Sequence, residues 1–252
     1  MTTERNSSFR GNIIKLFLRR TWWRIRGNAS RGKLRGDFAL KRFLRVVGDL
    51  QMTGKCLDVG CGKGEQLQAI IDSEIFGEVH ALNLSKVGPE VGESRYFGVP
   101  IEALPKPESD DDKYDAIWCC HVLEHTLTPG PFLQAIYEQL KDGGVLCIIV
   151  PPLKSQITHG HVTLWNPGLL LLNLLKAGFD CKQIAMRKQG YNIAAILRKK
   201  PLPDGIDGAQ IRFNVEGKYN ARNFLPDGLT WIQNPKSGKW YYEGDFKSLN
   251  WN

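Results

Sequence analysis

The chain has 252 residues, of which 42% are hydrophobic, 24% charged and 10% aromatic, and a formal net charge of +8. That length buries one ordinary core with chain to spare. The balance of residue types excludes collagen-like, coiled-coil, disulfide-framework and wholly disordered proteins. No apolar run approaches the roughly 20 residues needed to cross a bilayer.

The charge is unevenly placed. Residues 1–36 hold ten Lys/Arg against the single acid Glu4, which leaves 24 basic and 25 acidic residues for the rest. A high isoelectric point therefore says nothing about nucleic-acid binding by the body. Within this arm Ile14, Leu18, Trp22 and Ile25 recur at helical spacing, with Lys15, Arg19 and Arg26 facing away. A basic amphipathic helix of this kind has three readings: a contact with an anionic membrane surface, a lid over a cleft, or a grip on nucleic acid. Residues 27–36 read as a hinge.

Residues 38–50 predict a helix. From Lys55 onward strands and helices alternate, with strands over 55–60, 78–83, 95–99, 114–119, 144–150, 181–187 and 191–198. Helices are expected over 63–72, 130–140 and 167–177, with one short turn near 85–92. Continuous apolar strands separated by helices indicate a parallel sheet covered on both faces. The last two strands are joined only by Lys188-Gln189-Gly190, which implies an antiparallel hairpin. After Lys200 the character changes. Residues 201–252 hold nine of the 25 aromatics, too many for a disordered tail, and read as a β appendage with a hairpin turn at 234–238. Three units follow: the arm 1–36, a body 37–200 and the aromatic segment 201–252. Six cysteines without a C-x-x-C pair, most inside strand-like runs, read as free buried thiols in a reducing compartment, hence a cytoplasmic protein.

The most informative stretch is Asp58-Val59-Gly60-Cys61-Gly62-Lys63-Gly64. A strand ends, three glycines alternate, and a helix begins. Glycine permits the tight turn and lets a ligand approach the backbone with no Cβ in the way. Dinucleotide fingerprints space their glycines differently, as G-x-G-x-x-G.

This D-x-G-x-G-x-G resembles the first motif of the class I S-adenosylmethionine-dependent methyltransferases. Three further stretches resemble that family in the same order: Tyr114-Asp115 through Leu123-Glu124-His125, Leu140-Lys141-Asp142-Gly143-Gly144, and Ala177-Gly178-Phe179. The resemblance runs from about Phe38 to Arg198. It implies an α/β, Rossmann-like, seven-stranded, mostly parallel sheet with an antiparallel C-terminal hairpin and helices on both faces.

It also implies a cofactor site for S-adenosylmethionine. Gly60, Gly62 and Gly64, with Cys61 between them, would wrap the methionine and ribose portion, and Asp58 would meet the amino end or brace the loop. Asn83, with Leu84 beside it, stands where the family carries an acid for the ribose hydroxyls. Its amide both donates and accepts but lacks a carboxylate's charge. Ile101 and Glu102 would lie near the adenine, where Pro100 replaces the family's usual acid, and Cys119 flanks the same site.

Methyl transfer is displacement at a carbon the cofactor has already activated, so the protein chiefly positions and desolvates the nucleophile. His121, just after strand four, is the first candidate for base or substrate-orienting group, and His161, in a loop after strand five, the second. His125 reads as a structural residue. No metal is expected: His159, His161, His121 and a cysteine come from separate loops without a ligand spacing pattern. The expected function is methylation of oxygen or nitrogen on a small-molecule, sugar or lipid-linked acceptor. The arm over residues 10–26 adds a peripheral contact with the inner face of the membrane. Two alternatives stay open: an RNA methyltransferase gripping through the arm, and a non-catalytic scaffold of the same fold. The segment after strand four lacks the N/D-P-P-Y/F/W signature of nucleobase amine methylation.

Overall fold

The computed structural model describes residues 36–85, 93–213, 215–238, 240–243 and 246–251. The amphipathic stretch of the arm and the turn near 85–92 lie outside the described residues, Ser85 apart.

The first helix, α1 (Asp37–Asp49), buries Ala39, Leu40, Phe43, Leu44 and Val47 along one stripe. Next come β1 (Lys55–Val59), α2 (Glu65–Ile71), β2 (Glu78–Asn83), β3 (Glu93–Phe97) and β4 (Tyr114–Cys120). They are followed by α3 (Pro129–Gln139), β5 (Leu140–Val150), α4 (Pro167–Lys176), β6 (Ala185–Gln189) and β7 (Asn192–Arg198). The C-terminal segment adds a hairpin of β8 (Thr230–Gln233) and β9 (Trp240–Glu243), then the short β10 (Ser248–Leu249).

The main sheet has the order β10-β6-β7-β5-β4-β1-β2-β3. The pairs from β3 through β5 are parallel, and β5–β7 and β6–β7 are antiparallel. The sheet is thus mostly parallel with the antiparallel hairpin at its C-terminal edge, and it carries an eighth strand beyond the seven read from the sequence. Leu249 pairs with Met186, so β10 covers what would otherwise be the exposed edge of β6.

Alternation along the strands sorts side chains into two cores. Ile117, Cys119, Leu146, Ile148 and Val150 face the cluster that takes in residues of α3 and α4. Trp118, Cys120, Val145, Cys147 and Ile149 face the other, where Phe43 of α1 packs 5.4 Å from the Trp118 ring. All six cysteines are free and buried. Hydrophobic burial on both faces is what holds the parallel strands together.

Several boundaries differ from the sequence reading, β3 among them at Glu93–Phe97 against the expected 95–99, and two have local reasons. β6 starts at Ala185 because Asp180 Oδ1 accepts from Lys182 N (3.0 Å) and Ile184 N bonds Cys181 O (3.1 Å), a turn that occupies the expected strand start. β5 begins early, at Leu140, and then bulges: Tyr114 pairs with Leu140 but Ala116 with Val145, and Gly143 sits at φ 79°.

The segment after Lys200 is docked on the body. Leu202, Ile206, Ile211, Phe224, Leu225 and Leu249 join the first core, while Trp251 joins the second and lies 5.8 Å from the Phe38 ring. Among the described residues, no helix is long and apolar enough to cross a membrane.

Candidate active site

The glycine bend leaves β1 at Val59 and is pinned to the neighbouring strand by Gly60 N and Cys61 N, both donating to Leu82 O at 2.7 and 3.2 Å. Gly60, Gly62 and Gly64 all take positive φ, at 77°, 54° and 82°, a region that L side chains enter only at a cost. The first two glycines serve different ends. A Cβ on Gly60 would collide with Val122 Cγ2, so that glycine lets the loop after β4 pack against the bend. A Cβ on Gly62 would meet only Gly60 O, at 4.0 Å, so the space beside it is open.

Asp58 lies in β1 two residues before the bend. It is 1% exposed, and its Oδ2 is buried without a hydrogen-bond partner. Burial alone pushes its carboxyl up to about 7. Cys61 is raised to about 11, first by burial and then by the nearby Asp58. A buried carboxylate oxygen without a partner is costly unless something positive meets it, and the ammonium group of an amino-acid ligand would fit Asp58.

The other expected cofactor residues divide. Asn83 is half-buried at the end of β2, where its carbonyl accepts from Gly98 N (2.8 Å). Leu84 and Glu102 are exposed. Ile101 and Cys119, at 2% and 0% exposure, belong to the hydrophobic core, so Glu102 is the member of its pair that a ligand can reach.

His121 lies just past β4 at φ 58° and is almost wholly buried. Its Nδ1 faces Glu124 Oε1 at 3.1 Å and its Nε2 faces Asn192 Oδ1 at 2.8 Å. Asn192 Nδ2 donates to Gln189 O (3.3 Å), which turns Oδ1 toward the ring. Tyr191 stacks on the same imidazole, with centroids 6.2 Å apart. Both ring nitrogens therefore face oxygen acceptors, and the side chain is held rather than poised.

His161 is half-buried and lines a cleft with Pro151, Pro152, Lys154, Trp165 and Tyr191. Its ring meets that of His125 edge-on at 5.1 Å. His125 donates from Nδ1 to Gly160 O (2.7 Å), the backbone-satisfying role its place in the motif suggested. His159 is exposed.

Sequence reasoning missed Glu124, Tyr191 and Asn192. Glu124 lies inside the motif that was quoted, but nothing local says that it is fully buried against His121. Its backbone carbonyl also accepts from Val162 N and Thr163 N (2.9 and 3.2 Å), which ties the loop after β5 to the loop after β4.

Comparison with known proteins identifies the family. A family profile described as "Methyltransferase domain" matches residues 31–183, more than half of the chain. The chain belongs to this methyltransferase family. Its fold is that of S-adenosylmethionine-dependent methyltransferases. Among the methyltransferases similar to it is the ubiquinone biosynthesis O-methyltransferase of Glaesserella parasuis serovar 5, 24% identical over 192 residues, covering 66% of this chain and 81% of that protein. The protein of the same name from Shewanella sp. strain ANA-3 is 28% identical over 131 residues, covering 49% of this chain. This chain spans only 54% of that second methyltransferase. An S-adenosylmethionine-dependent methyltransferase from Clostridium acetobutylicum shares the fold, with a TM-score of 0.50 at 12% identity, covering 67% of this chain and 93% of the other.

Proposed function

We propose that the protein transfers a methyl group to an oxygen of a small-molecule acceptor bound beyond the C-terminal ends of β4 and β5. The observation that carries the reading is the glycine bend after β1, where the space at Gly62 is open and Asp58, buried at the end of the strand, has its Oδ2 without a partner. S-adenosylmethionine, when bound, supplies a methyl on a positively charged sulfur, so its transfer needs no further activation. Asp58 would take the cofactor's amino group. Gly60, Cys61, Gly62 and Gly64 would lie along its methionine and ribose portion, Asn83 and Leu84 at the ribose, and Glu102 at the adenine edge.

On the acceptor side, His121 acts as a positioning residue. With acceptors at both nitrogens it holds the turn after β4, and through Glu124 the loop carrying His161. His161 lines the cleft with Lys154 and Tyr191 and would orient an acceptor there. Oxygen is favoured as the acceptor atom by the names of the curated relatives. A lipid-linked acceptor, with residues 10–26 resting on an anionic membrane, is supported by the pattern of the arm alone.

Calorimetric titration of the full chain with S-adenosylhomocysteine tests the cofactor half. Binding in the wild type that is lost in Asp58→Ala supports the assignment, and equal binding by the two proteins overturns it. Methyl transfer to hydroxylated aromatic compounds tests the acceptor half, with transfer to amines alone as the contrary outcome.

A further inference from the structure

Among the described residues, Glu124, His125 and His161 each offer one ligand atom to a common point, and those atoms all lie within 4.8 Å of one another. We propose that these three side chains bind a divalent first-row transition-metal ion, with zinc as the reference occupant.

The argument begins with a tautomer. Gly160 O can only accept, so the 2.7 Å contact puts a proton of His125 on Nδ1, and a metal-binding, neutral ring would carry its lone pair on Nε2. That lone pair faces Glu124 Oε1 across 3.9 Å. Two electron-rich atoms turned toward each other call for a cation between them. A histidine whose far nitrogen donates to a backbone carbonyl is also the usual second-layer support of a metal ligand.

Glu124 makes the same demand. It is 0% exposed; Oε1 is engaged by His121 Nδ1, and Oε2 is buried with no partner. A buried carboxylate oxygen left this way is costly unless something positive meets it. The third ligand is delivered by a loop stapled to the first, since Val162 N and Thr163 N both donate to Glu124 O. Two imidazoles and one carboxylate select zinc, cobalt or nickel over magnesium and calcium, which take oxygen ligands. Three protein ligands leave at least one position for water or another oxygen donor. The cluster follows β4 and β5 at the sheet end that carries the glycine bend.

The test strips the full-length protein with a chelator and titrates it with cobalt(II), followed by visible absorption, and with zinc by calorimetry. One ion per chain is expected. His125→Ala and His161→Ala should each weaken affinity at least about tenfold, and His159→Ala should leave it unchanged. His125 is 44% exposed in its side chain, so its loss does not threaten the fold. Retained S-adenosylhomocysteine binding by the variants verifies their folding. Absence of cobalt and zinc binding in the wild type, or undiminished binding in the His125→Ala, His161→Ala double variant, would overturn the metal site and leave the cofactor reading standing.

Discussion

His121 and Asn192 are 71 residues apart in the chain and meet at 2.8 Å, Nε2 against Oδ1, across the end of the sheet. With Glu124 at the other nitrogen, the imidazole has no lone pair facing the cleft. His121→Asn keeps a residue that tolerates the left-handed backbone at φ 58°, and it retains hydrogen-bonding capacity. We expect it to lower kcat/KM by no more than about tenfold, where loss of a general base costs about a hundredfold or more. Steady-state kinetics of the two variants His121→Asn and His121→Ala checks this, and a thousandfold drop in the asparagine variant would make His121 the base after all.

Asp58 sets a pH dependence. Its carboxyl is raised to about 7 in the folded protein, far above its value in an unfolded chain. Protonated Asp58 is thus favoured by folding. Its contribution to stability is fully present below the unfolded value and is lost as pH rises through about 7. Cofactor binding runs the other way, because an ammonium prefers the carboxylate. Affinity for S-adenosylhomocysteine should rise about tenfold from pH 6 to pH 8, and the rise should vanish in Asp58→Asn. A flat profile in the wild type would remove Asp58 from the site.

Gly60 and Gly62 should respond differently to the same methyl group. Gly60→Ala drives a Cβ into Val122 at a positive φ, and we expect a loss of about 2–4 kcal/mol in unfolding free energy. Val122→Ala should recover part of it. Gly62→Ala has room and pays only the backbone term, about 1–2 kcal/mol. Denaturant unfolding of the three variants measures the contrast; equal losses would mean the open side of Gly62 is misread.

The C-terminal segment is structural as well as decorative in its aromatics. Trp251→Ala removes a buried ring packed on Phe38 and should cost about 2–4 kcal/mol. Truncation before Ser248 additionally uncovers the edge of β6. Light scattering should then show self-association, which the full chain lacks if β10 is what shields that edge.

Much of this was legible in the sequence because its signals are local. The glycine triplet read as a tight turn and takes positive φ at all three positions, and the continuous apolar run of β4 is buried on both faces, Ile117 in one core and Trp118 in the other. The short strand β10 was not legible: two residues are too few to show a period, and the pairing with Met186 is set by tertiary contact. The same holds for the site. Asn192 reaches His121 only because β7 runs antiparallel beside β5, and Glu124 reads as one letter of a motif until its burial against two histidines is seen. Ile101 and Cys119 look surface-ready in a motif, yet apolar side chains of that size are taken by the core when the sheet closes.

The most direct measurement is calorimetric titration of the wild type and of Gly62→Val with S-adenosylmethionine. A single saturating site in the wild type and none in the folded variant is the predicted result. No heat from the wild type at millimolar cofactor, or matching affinities in the two proteins, would contradict the account of the glycine bend.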